Sequence, residues 1–203
     1  MGQVFRQAEQ YLDQLGYDGE FIEIGTSRNG DDGSTKTLAE WATRLGTTLT
    51  TIDVDPVNCQ FVQNLHILNC TILNAKGEDY LYTRNYSLCP INFLYLDNFD
   101  WDWHPEKTED FILEQQVRYQ QLGLAMNNVN SQRAHLAQMI YALPHMADVC
   151  LVVCDDTWFN KWWGHYSGKS GAVIPFLMDK GFDILYTEEQ PVYGTILGRG
   201  IKT

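Results

Sequence analysis

No cysteine pair in this sequence is spaced CxxC, no run of lysines or arginines occurs, and no window approaches the ~18 consecutive apolar residues of a membrane span. Each absence excludes something. The five cysteines (Cys59, Cys70, Cys89, Cys150 and Cys154) are odd in number and sit in mostly apolar surroundings, the pattern of reduced, packed thiols in a cytosolic protein. Only 14 Lys+Arg stand against 26 Asp+Glu, a net charge of −12, which repels a nucleic-acid backbone or an anionic membrane, so neither is an expected partner. The first 16 residues lack the apolar stretch of a signal peptide and have the spacing of an amphipathic helix, so a cytoplasmic location is expected. There is no internal repeat and no low-complexity linker. With 203 residues and 44% apolar content, the expectation is one domain spanning 1–203 with a real core.

What is present alternates between two periods. Val4, Phe5, Ala8, Tyr11, Leu12 and Leu15 recur at helical spacing before Gly16, predicting a helix within 1–18. FIEIG (21–25) predicts a strand. Ser34 or Thr35 can cap a second helix with Leu38, Trp41, Ala42 and Leu45 on its inner stripe and Gly46 at its end. Strands follow at 48–55 and 70–73, with Pro56 suited to the first turn of the helix between them. INFLYLD (91–97) is apolar but for Asn92 until its last residue, as befits a strand buried on both faces. Residues 105–145 have a helical pattern that breaks around 126–131, a segment suited to a lid or a dimer arm. ADVCLVVCDD (147–156) is another apolar strand ending in acids. A glycine-containing loop, a helix near 171–180 and strands at 181–186 and 191–198 complete the chain. The order predicts an α/β fold with a doubly wound, Rossmann-like sheet of seven strands, helices covering both faces.

In such sheets ligands bind beyond the C-terminal ends of the strands. The first strand delivers Glu23, Gly25 and Thr26 and then a loop of glycines and small polar residues. The second delivers Asp53, placed either to accept from ribose hydroxyls or to cap the next helix. The loop is not GxGxxG, and the acids Glu23, Asp31, Asp32 and Asp53 surround it. They suit a cofactor that is neutral or cationic there, S-adenosylmethionine rather than NAD.

Asp97 ends the fourth strand, with Asp100, Asp102 and His104 after it, and Asp155-Asp156 end the fifth. Asp97, Asp155 and Asp156 are expected to converge. Three such carboxylates repel unless one is protonated or a cation lies between them. Hard oxygen ligands suit Mg²⁺, with Ca²⁺ or Mn²⁺ as alternatives; loop capping is the plainer role. Trp101, Trp103, Trp158, Trp162 and Trp163 fall in the loops after these two strands, where they could wall a pocket for a flat substrate or form a homo-oligomer interface. His135 and His145 fit structural positions in the helical segment, while His104 and His165 lie in the loops of interest.

FIEIGTSRNGDDGSTKTLAEWA, TTIDVDP, INFLYLDNFDWD, LVVCDD and GKSGAVIPFLMDKGF together resemble class I S-adenosylmethionine-dependent methyltransferases over roughly residues 20–200. The resemblance is greatest to the metal-dependent small-molecule O-methyltransferase branch and the cephalosporin-hydroxylase-like proteins. It implies a mostly parallel sheet with an antiparallel last strand. It implies, too, that Glu23 and Gly25 lie against the methionine part of the cofactor and that Ser34 and Thr35 end its loop. Asp53 would hold the ribose, Glu78-Asp79 would fall near adenine, and Asp97, Asp155 and Asp156 would bind the metal. Catechol-type members carry a lysine three positions after the first metal acid; here Asp100 stands there, and His104 is the second candidate for the base.

The function expected is Mg²⁺-assisted methyl transfer to a hydroxyl of a small molecule. The alternatives are a metal-dependent hydroxylase-like enzyme on the same scaffold and a non-catalytic S-adenosylmethionine-binding module.

Overall fold

A computed structural model describes residues 3–28, 33–85, 89–102, 108–189 and 194–202. Seven strands form one sheet: β1 (Glu20–Ile24), β2 (Leu49–Asp53), β3 (Cys70–Asn74), β4 (Ile91–Leu96), β5 (Met146–Asp155), β8 (Asp183–Thr187) and β9 (Gly194–Arg199). Between β5 and β8 in sequence lies a separate hairpin, β6 (Thr157–Asn160) and β7 (His165–Gly168). The sheet order is β3-β2-β1-β4-β5-β9-β8. All pairings are parallel except those of β9, which runs antiparallel to both β5 and β8. The seven-stranded, mostly parallel sheet with an antiparallel last strand is therefore as expected.

The strands form where apolar, β-branched and aromatic residues predominate, and every residue of β1 and β4 is buried, Glu20, Glu23 and Asn92 included. Their side chains alternate between two cores. Ile22, Ile24, Leu94, Leu96 and Val152 pack on one face with Leu81 of α4 (Gly77–Thr83), Met139 of α6 (Asn128–Ala142) and Leu177 of α7 (Val173–Asp179). Phe21, Phe93, Tyr95 and Val153 pack on the other with Val4 and Phe5 of α1 (Gln3–Ala8) and Leu38 and Trp41 of α2 (Ser34–Arg44). Phe21 and Phe93 stack at 4.7 Å. Each such side chain contributes about 1.5–3 kcal/mol of burial. Two further helices, α3 (Pro56–Asn64) and α5 (Glu109–Gln121), flank the C-terminal ends of the strands.

Four local readings are corrected. The first helix is α-helical only over Gln3–Ala8 and tightens into a 3₁₀ turn over Glu9–Gln14, which still buries Leu12. Ser34 and Thr35 do not cap α2: Gly33, at φ 86°, occupies the cap position, and the Ser27 hydroxyl accepts from the Thr35 N–H instead. The break between α5 and α6 falls at 122–127, where the Asn127 side chain caps α6. The glycine-containing loop after β5 is the hairpin. The strand expected at 191–198 is observed from Gly194, with 191–193 outside the described residues.

Strand order reverses between β1 and β4, so their C-terminal ends open a crevice. Among the described residues, no helix is long and apolar enough to cross a membrane.

Candidate active site

At the end of β1 the chain turns through Gly25, with φ 96°. A Cβ there would lie 2.5 Å from the Asn98 nitrogen, so both the dihedral and the close approach to the segment after β4 require glycine. Just beneath, Glu23 is fully buried and accepts from the hydroxyls of Ser34 (2.7 Å), Thr35 (2.7 Å) and Thr51 (2.6 Å). Burial outweighs these donors and pushes its pKa up to about 7. Glu23, Ser34 and Thr35 thus form a closed cradle that pins α2 to the sheet. They lie behind the cleft wall, whereas Gly25 and Thr26 line the cleft itself.

Asp53, ending β2, also lines the cleft. Its carboxylate accepts from the backbone N–H of Asp55 (2.7 Å) and Thr26 (3.2 Å) and from Asn58 Nδ2 (3.2 Å). Three of roughly four lone-pair positions are used, leaving acceptor capacity toward the cleft. Burial raises its pKa above the ordinary value. The helix cap is Asp55, which accepts from Val57 N–H. Glu78, in the first turn of α4, lines the same cleft and accepts from Gln138, while Asp79 is exposed and away from it. From α5, Arg118 reaches over to pair with Asp55 and bond Asn58, and Tyr119 adds a ring beside Phe99.

At the ends of β4 and β5, Asp97, Asp155 and Asp156 do converge, each offering a carboxylate oxygen within 4.8 Å of the others. The ammonium of Lys169 bridges two of them, 2.7 Å from Asp97 Oδ1 and 2.9 Å from Asp156 Oδ2. Its side chain is only 2% exposed. Burial opposes the charge, but Asp156, Asp97, Asp100 and Asp155 outweigh it and hold the pKa well above that of an ordinary lysine. Asp155 is pushed well above the usual carboxylate range by burial, by its two acidic neighbours and by a hydrogen bond with Asp97. Phe99 (φ 64°) and Asp156 (φ 45°) hold left-handed conformations in the two loops that carry this cluster, as sites over-determined by their surroundings do.

The donor set alone would suit a hard divalent ion. An ion bound at about 2.0–2.6 Å to Asp97 Oδ1 and Asp156 Oδ2 would lie against the ammonium already paired with both. With Lys169 in place, the cluster does not fit Mg²⁺, Ca²⁺ or Mn²⁺.

Asp100 faces the cleft but is engaged by Arg28, which donates to Oδ1 at 3.1 Å and Oδ2 at 3.3 Å. His104 lies outside the described residues. His135 is structural: burial lowers its pKa to about 3, so the neutral ring donates from Nε2 to the Asn98 carbonyl and accepts at Nδ1 from Ser170, both at 2.6 Å. A second cavity, of about 510 Å³, is lined by Trp101, Trp158, Trp162 and Trp163 with Asn128 and Ser167, a volume that accepts a small molecule. Trp103 is not among the described residues. The Trp163 ring stacks on His165 at 5.7 Å.

Sequence reasoning missed Lys169, Arg28, Arg118 and Tyr119. Lys169 stands 72 residues after Asp97, inside a stretch that signals only a loop. The available signal was the unbalanced charge of three neighbouring acids, which demanded a cation without saying whose.

No family model and no curated protein matches the sequence. Solved structures are similar in fold. An rRNA methylase from Streptococcus thermophilus matches with TM-score 0.52 and 14% identity over 98% of each chain. The N-methyltransferase NodS from Bradyrhizobium japonicum matches with TM-score 0.52 and 11% identity over 97% of this chain and 92% of its own. MycE, a methyltransferase from the mycinamycin biosynthetic pathway in complex with Mg, SAH and mycinamycin VI, matches with TM-score 0.54 and 12% identity, over 98% of this chain and 48% of its own. The fold is the Rossmann-like fold of methyltransferases.

Proposed function

We propose that this chain is an S-adenosylmethionine-dependent methyltransferase that methylates a hydroxyl of a small molecule. The observation that carries the reading is the cleft at the β1/β4 reversal, lined by Gly25, Thr26, Asp53 and Asp97 in a methyltransferase fold. Asp53 would accept from the ribose hydroxyls, Glu78 would lie near the adenine, and the acid-rich wall suits a cationic centre. When bound, S-adenosylmethionine supplies an electrophilic methyl group on a positively charged sulfur.

The chain's own residues do the remaining work. Asp97 lines the cleft while its Oδ1 is held by Lys169, and its Oδ2 accepts from Tyr95 Oη at 3.3 Å. A carboxylate so fixed can take the proton of an acceptor hydroxyl as that oxygen gains its methyl group. The tryptophan-lined cavity would seat the acceptor, so that alignment supplies most of the rate enhancement. The metal-assisted form of the reaction expected from the sequence requires Lys169 to leave the cluster, so no step here runs through a metal. The hydroxylase-like alternative loses support for the same reason.

Titration calorimetry with S-adenosylmethionine tests the reading. Micromolar binding, about −8 kcal/mol, is expected, together with the methylated product when candidate hydroxyl acceptors are screened by mass. Absence of binding at high protein concentration overturns it. Binding without a product from any acceptor would favour the non-catalytic module.

A further inference from the structure

Three acids this close need a proton on one of them or a compensating cation, and the chain provides a cation covalently. Lys169 is delivered from the end of β7, where Gly168 (φ 90°) turns against the Asp156 carbonyl. A Cβ at Gly168 would lie 1.9 Å from that oxygen, so only glycine lets the two segments meet. Lys169 N–H then donates to the Asp156 carbonyl at 3.1 Å, and Ser170 N–H to Thr157 Oγ1 at 3.0 Å. Backbone bonds on both sides of the lysine thus aim its stem inward. Its ammonium reaches Asp97 Oδ1 and Asp156 Oδ2, with the Asp97 carbonyl a further 3.5 Å contact.

We propose that Lys169 is a resident cation that stands in for a divalent metal, making the site metal-independent, and that it positions Asp97 at the cleft. A divalent ion on the same oxygens would lie against the ammonium, and like charges at that separation repel strongly. The lysine stem, closed in at 2% exposure, has no solvent-facing alternative without local opening. Lys169 is a positioning residue. It acts on the acceptor through Asp97.

The inference concerns the site of the proposed methyl transfer, but its test reads metal binding and thermal stability. Failure of S-adenosylmethionine binding would leave these readouts standing. Wild-type protein titrated with Mn²⁺ to millimolar concentration, followed by electron paramagnetic resonance and by melting with and without chelator, should show no stoichiometric site and no shift. Lys169→Ala removes the ammonium and leaves the three carboxylates. It should gain one Mn²⁺ site, about tenfold or more tighter than any wild-type binding, and a melting temperature that rises with Mn²⁺. Adding Asp97→Asn to that variant should remove both gains. A merely structural ion pair would not exchange for a metal.

Stoichiometric Mn²⁺ binding by the wild type overturns the proposal. So does a folded Lys169→Ala variant that binds no tighter than wild type. If that variant does not fold in chelator, refolding in Mn²⁺ decides: recovery supports the exchange, and failure to recover counts against it.

Discussion

Two buried acid sites sit within a few residues of each other along the strand ends, and they are settled by opposite means. Glu23 is surrounded by hydroxyls: three donors complete its hydrogen bonds, but none carries charge, and burial drives its pKa to about 7. The Asp97–Asp156 pair shares one ammonium, which offsets one of its two negative charges in place. Hydroxyl donors favour the carboxylate without bringing any charge, whereas an ammonium offsets part of the cost of burial by direct attraction. The first site should therefore respond to pH near neutrality, and the second should be clamped.

The largest test removes the clamp. Lys169→Ala, unfolded by urea in chelator, should lose about 3–5 kcal/mol, since breaking a buried pair strands its partners. A loss within the range of an ordinary surface substitution would erase the distinction between the sites.

Next is Glu23→Gln. Because the folded pKa is raised from 4.5 to about 7, the native state holds the proton longer than the unfolded chain. Stability from this group is complete below 4.5 and is lost as pH rises through about 7, a span of about 3 kcal/mol. His135 acts with the opposite sign. Its pKa is lowered from 6.5 to about 3, so stability falls as pH drops below 6.5. The difference between wild-type and Glu23→Gln stability curves isolates the glutamate, and a difference independent of pH would show that Glu23 titrates alike in the folded and unfolded chain, overturning the raised pKa.

Asp53 is intermediate, filled with N–H donors yet open to the cleft. Asp53→Asn should weaken S-adenosylmethionine about tenfold by calorimetry, about 1.4 kcal/mol, with little change in melting. Smallest is Trp162→Ala: the side chain is 94% exposed, so stability should stay within about 0.5 kcal/mol while acrylamide-quenchable fluorescence falls and the part from exposed Trp163 remains.

Much of the scaffold was legible because β1, β2, β4 and β5 are rich in apolar and β-branched residues and bounded by turn residues, a signal that needs no knowledge of partners. The hairpin β6–β7 was not, because TWFN and HYSG are short and mixed and their turn carries exposed tryptophans. The same contrast holds in the site. The convergence of Asp97, Asp155 and Asp156 follows from their place at the ends of adjacent strands. Arg28 and Lys169 pair with acids 72 residues away, and no local period encodes that. Ser34 and Thr35 misled for a related reason. A hydroxyl at a helix start has an obvious partner in its own backbone, and the competing partner, Glu23, is visible only in three dimensions.

The place of β9 has a consequence for how the protein is made. Residues 194–199 fill the slot between β5 and β8, so both neighbours present unpaired edges until that strand has been synthesised and threaded in. The opening helix is covered in two stages, because Phe5 rests on Trp41 and Tyr95 while Val4 packs against Gly194. A ribosome-bound chain can assemble β1 to β4 early and offer α1 part of its seat, yet the side of that helix facing β9 stays bare until residues 194–199 emerge. Closure of the sheet should then complete the burial of α1 late, and a strand-edge binding chaperone would find its target in the interval before it.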